Sequence, residues 1–315
     1  MWTAPTEDMV VDPGEDVRLL VRASWQPARR QRPTLVLVHG LGGCDRAAYA
    51  ISTGLVAWSR GWNVIRMNMR GAGDGEAVCA RLYNAGLDTD LLAVLEAAAA
   101  VAPLVAVVGY SLGGNLALLT AARQRQRLPP GLFAVVGVSP PLDLEACAMA
   151  LERPANRFYQ SHYMRELRSS YCSRQRRLPS VYEAARERGL RTVREYDEAI
   201  TAPYGGYASA SEYYRLSSAG PHLAALDRPA LILAAQDDPL VPADSVARWP
   251  LPASGLVQRE MTKTGGHVGF VGRTEAPGRF WAAERTVSFV AGALTRAARA
   301  VPAAREAGIS TASPR

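Results

Sequence analysis

Short apolar runs alternate with segments of helical spacing along most of the chain. The runs at 34–38, 104–108, 132–138 and 229–235 are continuous, not alternating, which is the pattern of strands buried on both faces, and 62–67 and 256–261, interrupted by polar residues, read as further strands. Between them, residues 47–59, 87–101 and 115–124 read as helices, with Asp88 and Asp90 in a first turn, where the helix dipole favours acids. The order strand, helix, strand, helix, strand, helix, strand predicts an α/β fold on a doubly wound, mostly parallel sheet. Ahead of it, residues 9–25 read as an antiparallel hairpin: Met9–Val11, a turn at Asp12-Pro13-Gly14-Glu15, then Val17–Val21 and Trp25.

The periodicity changes at about residue 144. From there to 226 the chain is rich in arginine and aromatics, mostly helical, and without a clear buried strand. This predicts a first core part over 1–143, a helical cap inserted over 144–226, and a second core part over 227–300. The core closes with a helix over 279–300, and residues 301–315, rich in Ala, Ser, Pro and Arg, read as a flexible tail.

Composition narrows the function classes. The net charge of +7 comes from arginine, since Lys263 is the one lysine among 36 basic residues. There is no basic stripe with interleaved aromatics, so nucleic-acid binding is not expected. Cys44, Cys79, Cys147 and Cys172 have no metal-ligand spacing and read as reduced thiols. Met1–Asp8 has no apolar signal region and no run approaches the length of a membrane span. A cytoplasmic location without an integral membrane segment is therefore the expectation, with at most transient contact with a membrane surface. No P-loop or dinucleotide fingerprint competes for the strand ends, so neither cofactor nor metal is expected.

The chemistry lies in the loops that follow strands. Gly109-Tyr110-Ser111-Leu112-Gly113 breaks an apolar run and leads at once into a helix. Such a turn forces the serine into a strained backbone region with its hydroxyl exposed, and glycine is needed on each flank where a Cβ would collide. Four histidines are available as a base. His39 opens a glycine-rich loop where its role is structural, and His162 and His222 fall in the insertion. His267 follows the last strand on a glycine-flanked loop, and is the expected base. The acid is Asp237 or Asp238; Asp238, just before Pro239, is favoured, which would leave Asp237 as a locally bonded turn residue. The order Ser, Asp, His is that of α/β-hydrolases. Two backbone N–H groups, those of Leu112 and Leu41, are expected to receive an oxyanion.

The chain resembles the YheT-like branch of the α/β-hydrolase superfamily over roughly 34–271. The resemblance rests on His39–Gly43 with Tyr49, on Asn68–Gly73 and on Gly109–Asn115. It extends through Pro141–Leu144, Asp197 with Thr201–Tyr207, Tyr213–Arg215, Asp237–Pro239 and Gly265–Phe270. It implies an α/β-hydrolase fold with the charge relay on Ser111, Asp238 and His267. It also implies hydrolysis of carboxylic esters, short- to medium-chain or acyl-lipid; some members instead transfer the acyl group to an alcohol. A non-catalytic ligand-binding protein on this fold is the remaining alternative, although such proteins usually lose a member of the relay set. Tyr110 beside the serine, and Tyr204 and Tyr207 among the tyrosines of the cap (Tyr159, Tyr163, Tyr213, Tyr214), are the expected substrate contacts, against the alternative of tyrosines that pack among themselves. Asp197 and Thr201–Tyr207 are expected to fix the cap to the sheet.

Overall fold

The computed structural model describes residues 2–273, 275 and 279–307. Eight strands form one sheet: β1 (Glu7–Gly14), β2 (Val17–Ser24), β3 (Thr34–Val38), β4 (Asn63–Met67), β5 (Val105–Tyr110), β6 (Leu132–Val138), β7 (Ala230–Ala235) and β8 (Val257–Thr262). Their order is β1-β2-β4-β3-β5-β6-β7-β8, with β1, β2 and β4 paired antiparallel and all other neighbours parallel. This is the α/β-hydrolase architecture, with an antiparallel hairpin at its N-terminal edge.

The continuous apolar runs are explained by helices on both faces. Val36, Val38, Val105 and Val107 belong to the core beneath α2 (Asp88–Val101) and α3 (Leu112–Arg123). Leu35, Leu37, Ala106 and Val108, one residue out of step, belong to the core beneath α1 (Ala48–Ser59) and α10 (Trp281–Ala307). Successive side chains leave a strand on opposite faces, so a strand covered twice shows apolar residues without alternation.

The hairpin reverses one step later than its sequence suggests. Proline and glycine at 13 and 14 mark a turn, yet β1 runs through them, with a register shift between Val11 and Gly14. The reversal falls on Glu15 and Asp16, both left-handed (φ 55° and 59°), a geometry that matches the twist of the flanking strands. Pro13 is tolerated because β1 is an edge strand.

Residues 144–226 hold α4 (Leu144–Leu151), α5 (Arg157–Arg177), α6 (Val193–Tyr196), α7 (Ala202–Gly205) and α8 (Ala210–Ser217); α9 (Ala243–Ala247) follows β7. Asn115 on α3 ties the C-terminal end of this segment to the sheet, donating to Ser217 O (2.7 Å) and accepting from Ala219 N–H (2.8 Å). Tyr213 Oη accepts from Ala85 N–H at 3.0 Å, and buried Arg174 donates to Gly71 O. The expected anchor, Asp197, instead accepts from Tyr214 within the same segment. α10 extends to Ala307, beyond the expected end of the closing helix, and the remainder of the tail, 308–315, lies outside the described residues. Among the described residues no helix is long and apolar enough to cross a membrane.

Candidate active site

Ser111 sits between β5 and α3 at φ 51°, ψ −122°, a conformation that costs a non-glycine residue about 1–3 kcal/mol. The glycines around it allow a turn that no other residue would fit. A Cβ on Gly109 would overlap the carbonyl of Gly113, closing the gap between strand and helix. One on Gly113 would strike the carbonyls of Val38 and His39 on the neighbouring strand end. Gly40 brings the loop after β3 alongside: a Cβ there would lie 3.0 Å from Ser111 Cβ.

Three strand ends converge on this serine. His267 Nε2 lies 2.9 Å from Ser111 Oγ, and Nδ1 lies 2.9 Å from Asp238 Oδ2. The His267 and Asp238 side chains are only 8% and 1% exposed, so water competes little for these bonds. Asp238 Oδ1 accepts from the N–H groups of Leu240 (2.9 Å) and Val241 (3.0 Å). With the carboxylate accepting throughout, the ring proton belongs on Nδ1, and the Nε2 lone pair faces the serine hydroxyl. Asp237 does not bond locally as expected. Its Oδ1 accepts from Gly266 N–H at 2.8 Å, across 29 residues of sequence.

The loop after β3 is built by groups that its own sequence does not announce. Tyr49 Oη accepts from Gly40 N–H (2.9 Å) and Tyr83 Oη from Gly42 N–H (2.8 Å). His39 is structural, as expected. Its Nδ1–H donates to Gly40 O (2.8 Å), its Nε2 accepts from Met69 N–H (3.1 Å), and burial pushes its pKa down to about 4, which keeps it neutral. Between the bonded amides of Gly40 and Gly42, the N–H of Leu41 has no acceptor among the described residues, and the same is true of Leu112 at the start of α3. Both leucines line the cavity above Ser111.

That cavity has a volume of about 430 Å³ and is walled by sheet loops and by α4, α5, α6 and α8. Leu144, Leu151, Leu167, Leu240 and Val241 give it apolar walls, while Asn84, Ser170, Asp197 and Thr201 add polar groups and Glu76, Glu166 and Arg176 charged ones. Asp197 stands in a π-helical turn (Asp197–Thr201) and accepts from Tyr214 Oη at 2.8 Å. Burial raises its pKa to about 6, against the bonds from Thr201 and Tyr214 that favour the carboxylate.

None of the three tyrosines expected to contact substrate reaches this cavity. Tyr110, 1% exposed, points to the opposite face of the sheet, stacks on Tyr49 at 4.4 Å and bonds to Thr53. Its neighbour Ser111 faces the cavity, so strand alternation turns Tyr110 away. Tyr204 packs on Tyr171 and Tyr182 and accepts from Glu183 N–H (3.1 Å); Tyr207 bonds to Ser217 Oγ (3.2 Å) and packs on Tyr213. The cavity tyrosines are Tyr83, Tyr163, Tyr196, Tyr213 and Tyr214. Of the other histidines, His162 is exposed beside Tyr163 and His222 lies near Arg123; neither lines this cavity.

Residues 33–274 match the family model described as alpha/beta hydrolase fold. The chain belongs to this alpha/beta hydrolase family. The hydrolase is 35% identical over 268 residues to YheT of Escherichia coli, a candidate esterase by name, covering 83% of this chain and 78% of that protein. It is 28% identical to the mouse phospholipase ABHD3 over 76% of this chain, and 27% identical to a yeast monoacylglycerol lipase over 82%; the match spans 59% of each of those longer proteins. Its fold is also that of the Pyrococcus furiosus esterase Pf2001, with a TM-score of 0.60 at 14% identity, covering 92% of this chain and 95% of that one.

Proposed function

We propose that this hydrolase is a serine esterase that cleaves carboxylic esters through an acyl-enzyme on Ser111. The observation that carries this is the hydrogen-bonded line from Asp238 through His267 to Ser111 at the floor of a cavity with apolar walls and polar groups among them. Ser111 Oγ attacks the ester carbonyl carbon as its proton passes to His267 Nε2, while Asp238 holds the imidazole and offsets its new charge. The oxyanion is received by the N–H groups of Leu41 and Leu112, where the loss of one donor costs about 3 kcal/mol of barrier. The imidazolium then protonates the departing alkoxide. Water, deprotonated by the same nitrogen, attacks the acyl carbon and releases the acid and free Ser111.

The apolar walls suit an acyl chain, and the polar groups contributed by Asn84, Ser170 and Thr201 suit a hydroxylated or esterified head. With relatives named as a phospholipase and a monoacylglycerol lipase, short- to medium-chain and acyl-lipid esters are the substrates to test first. A fluorophosphonate probe should label Ser111 and abolish turnover of p-nitrophenyl esters, while Ser111→Ala should neither label nor turn over. His267→Gln should fall to the Ser111→Ala level and the double variant little further, because the two groups act as a unit. Labelling of another residue, or none on folded protein, would overturn the assignment.

A further inference from the structure

α5 has two working faces. Tyr163, Glu166, Leu167, Ser170 and Ser173 look into the catalytic cavity. Arg157, Gln160, Ser161, Met164, Arg165 and Arg168 line a separate groove on the outside of the cap. Leu151 borders both, so at that point the groove and the cavity share a single side chain as their wall.

The groove is basic and incompletely satisfied. Arg153, Arg191 and Arg194 complete its rim. Its two acids are occupied: Glu152 pairs with Arg194 at 2.9 Å, and Glu195 accepts from Thr192 N–H at 3.1 Å. Arg153, Arg157, Arg165 and Arg191 are exposed and have no carboxylate partner among the described residues. Both polar atoms of Gln160 and Nε of Arg168 are buried without a hydrogen-bond partner among the described residues, although buried polar groups are ordinarily bonded. Beside this rim, Phe158 is 75% exposed, with the Arg157 guanidinium 5.4 Å from its ring centroid. Ser161, His162 and Arg165 continue the same helical stripe, all exposed.

We propose that this outer face of the cap docks on an anionic lipid surface. Phe158 enters the boundary between headgroups and acyl chains, and the unpaired arginines meet lipid phosphates. A projecting phenylalanine among arginines gains by leaving water only where charge and hydrocarbon lie side by side. Phe158, 75% exposed beside these arginines, favours lipid over a polar polymer, which would leave its ring in water. The proposal does not depend on the chemistry at Ser111.

Vesicle sedimentation of the full chain tests it. Phosphatidylcholine vesicles with about one-third phosphatidylglycerol should pull the protein down at low salt, and plain phosphatidylcholine vesicles should not; high salt should release it. Arg153→Glu and Arg191→Glu should each lower the partition coefficient about five-fold or more, and Phe158→Asp should lower it comparably without changing the far-ultraviolet spectrum. Hydrolysis of a soluble p-nitrophenyl ester should be unchanged in all three variants, which separates failure of docking from failure of the esterase assignment. Equal binding to plain phosphatidylcholine would overturn the proposal, as would vesicle binding insensitive to both kinds of variant. Capture by heparin or single-stranded oligonucleotide with no vesicle binding would mark the face as a polyanion site instead.

Discussion

Asp237 holds Gly266, and through it the loop that presents His267, although the Asp237 carboxylate does not face the imidazole. Its Oδ1 accepts from Gly266 N–H at 2.8 Å, one residue before the histidine, while Ser139 Oγ accepts from Val268 N–H at 3.2 Å, one residue after it. The adjacent aspartates thus divide the work: Asp238 orients the ring and Asp237 positions the backbone beneath it.

If so, the two should fail differently. Asp238→Asn should cut kcat by about 10⁴, because an amide can stabilise the wrong imidazole tautomer. Asp237→Ala, which removes the acceptor of Gly266 N–H, should cost at most about 10²-fold, the scale of a misplacement of about 1 Å. Steady-state kinetics on a p-nitrophenyl ester distinguish them; the reverse ranking would exchange the two roles.

Tyr110 offers a test of the cavity's boundaries. Its hydroxyl bonds to Thr53 on the far side of the sheet from Ser111, so Tyr110→Phe should leave kcat/KM within about two-fold. It should lower stability by about 1–3 kcal/mol, the usual consequence of leaving a buried hydroxyl partner unbonded. Tyr163→Ala, in contrast, opens the wall of the cavity and should shift KM and the preferred acyl length.

Backbone crowding predicts a sharp contrast among glycines. Gly109→Ala and Gly113→Ala each drive a methyl into main-chain carbonyls, which cannot rotate away, and should cost more than about 3 kcal/mol or prevent folding. Gly292→Ala, inside α10 and facing only the flexible end of Arg296, should gain up to about 1 kcal/mol from helix propensity. Thermal unfolding measures all three.

Asp197 predicts a pH signature. Its pKa is raised to about 6 from the ordinary 3.8, chiefly by burial, so the fold prefers the protonated form. Between about pH 4 and 6 the unfolded chain ionises this group while the folded protein retains its proton, and stability falls as pH rises. Above that window the loss is complete, on the order of 2–3 kcal/mol. Asp197→Asn should gain on the unsubstituted protein progressively over the same interval, read as the difference between denaturation midpoints. Burial lowers the His39 pKa and gives the opposite slope, but His39 is present in both proteins and cancels in the difference.

Local rules made the scaffold and part of the site legible before any tertiary contact was known. Apolar runs without alternation meant strands covered twice, and 34–38 and 132–138 stand where that pattern puts them. Gly109-Tyr110-Ser111-Leu112-Gly113 required a strained serine because its glycines sit where a short connection forbids a Cβ, and Ser111 has that strained backbone. Elimination among four histidines reached His267 because His39 opens the loop after β3, where its role is structural, and His162 and His222 fall in the insertion.

What lay beyond sequence was every choice made by packing between distant segments. Tyr204 on α7 and Tyr207 in the connection after it differ from Tyr213 and Tyr214 on α8 only in which neighbours they meet, and composition carries no record of that. Tyr83 Oη meets Gly42 N–H across 41 residues, and Asp237 meets Gly266 across 29, with no motif to announce either partner. The outer groove of the cap depends in the same way on α5 carrying arginines on the face turned from the cavity. A strand reports its own burial because its period is two and its two covers are alike. A cap helix packs on one side only, and tertiary contact alone decides which side that is.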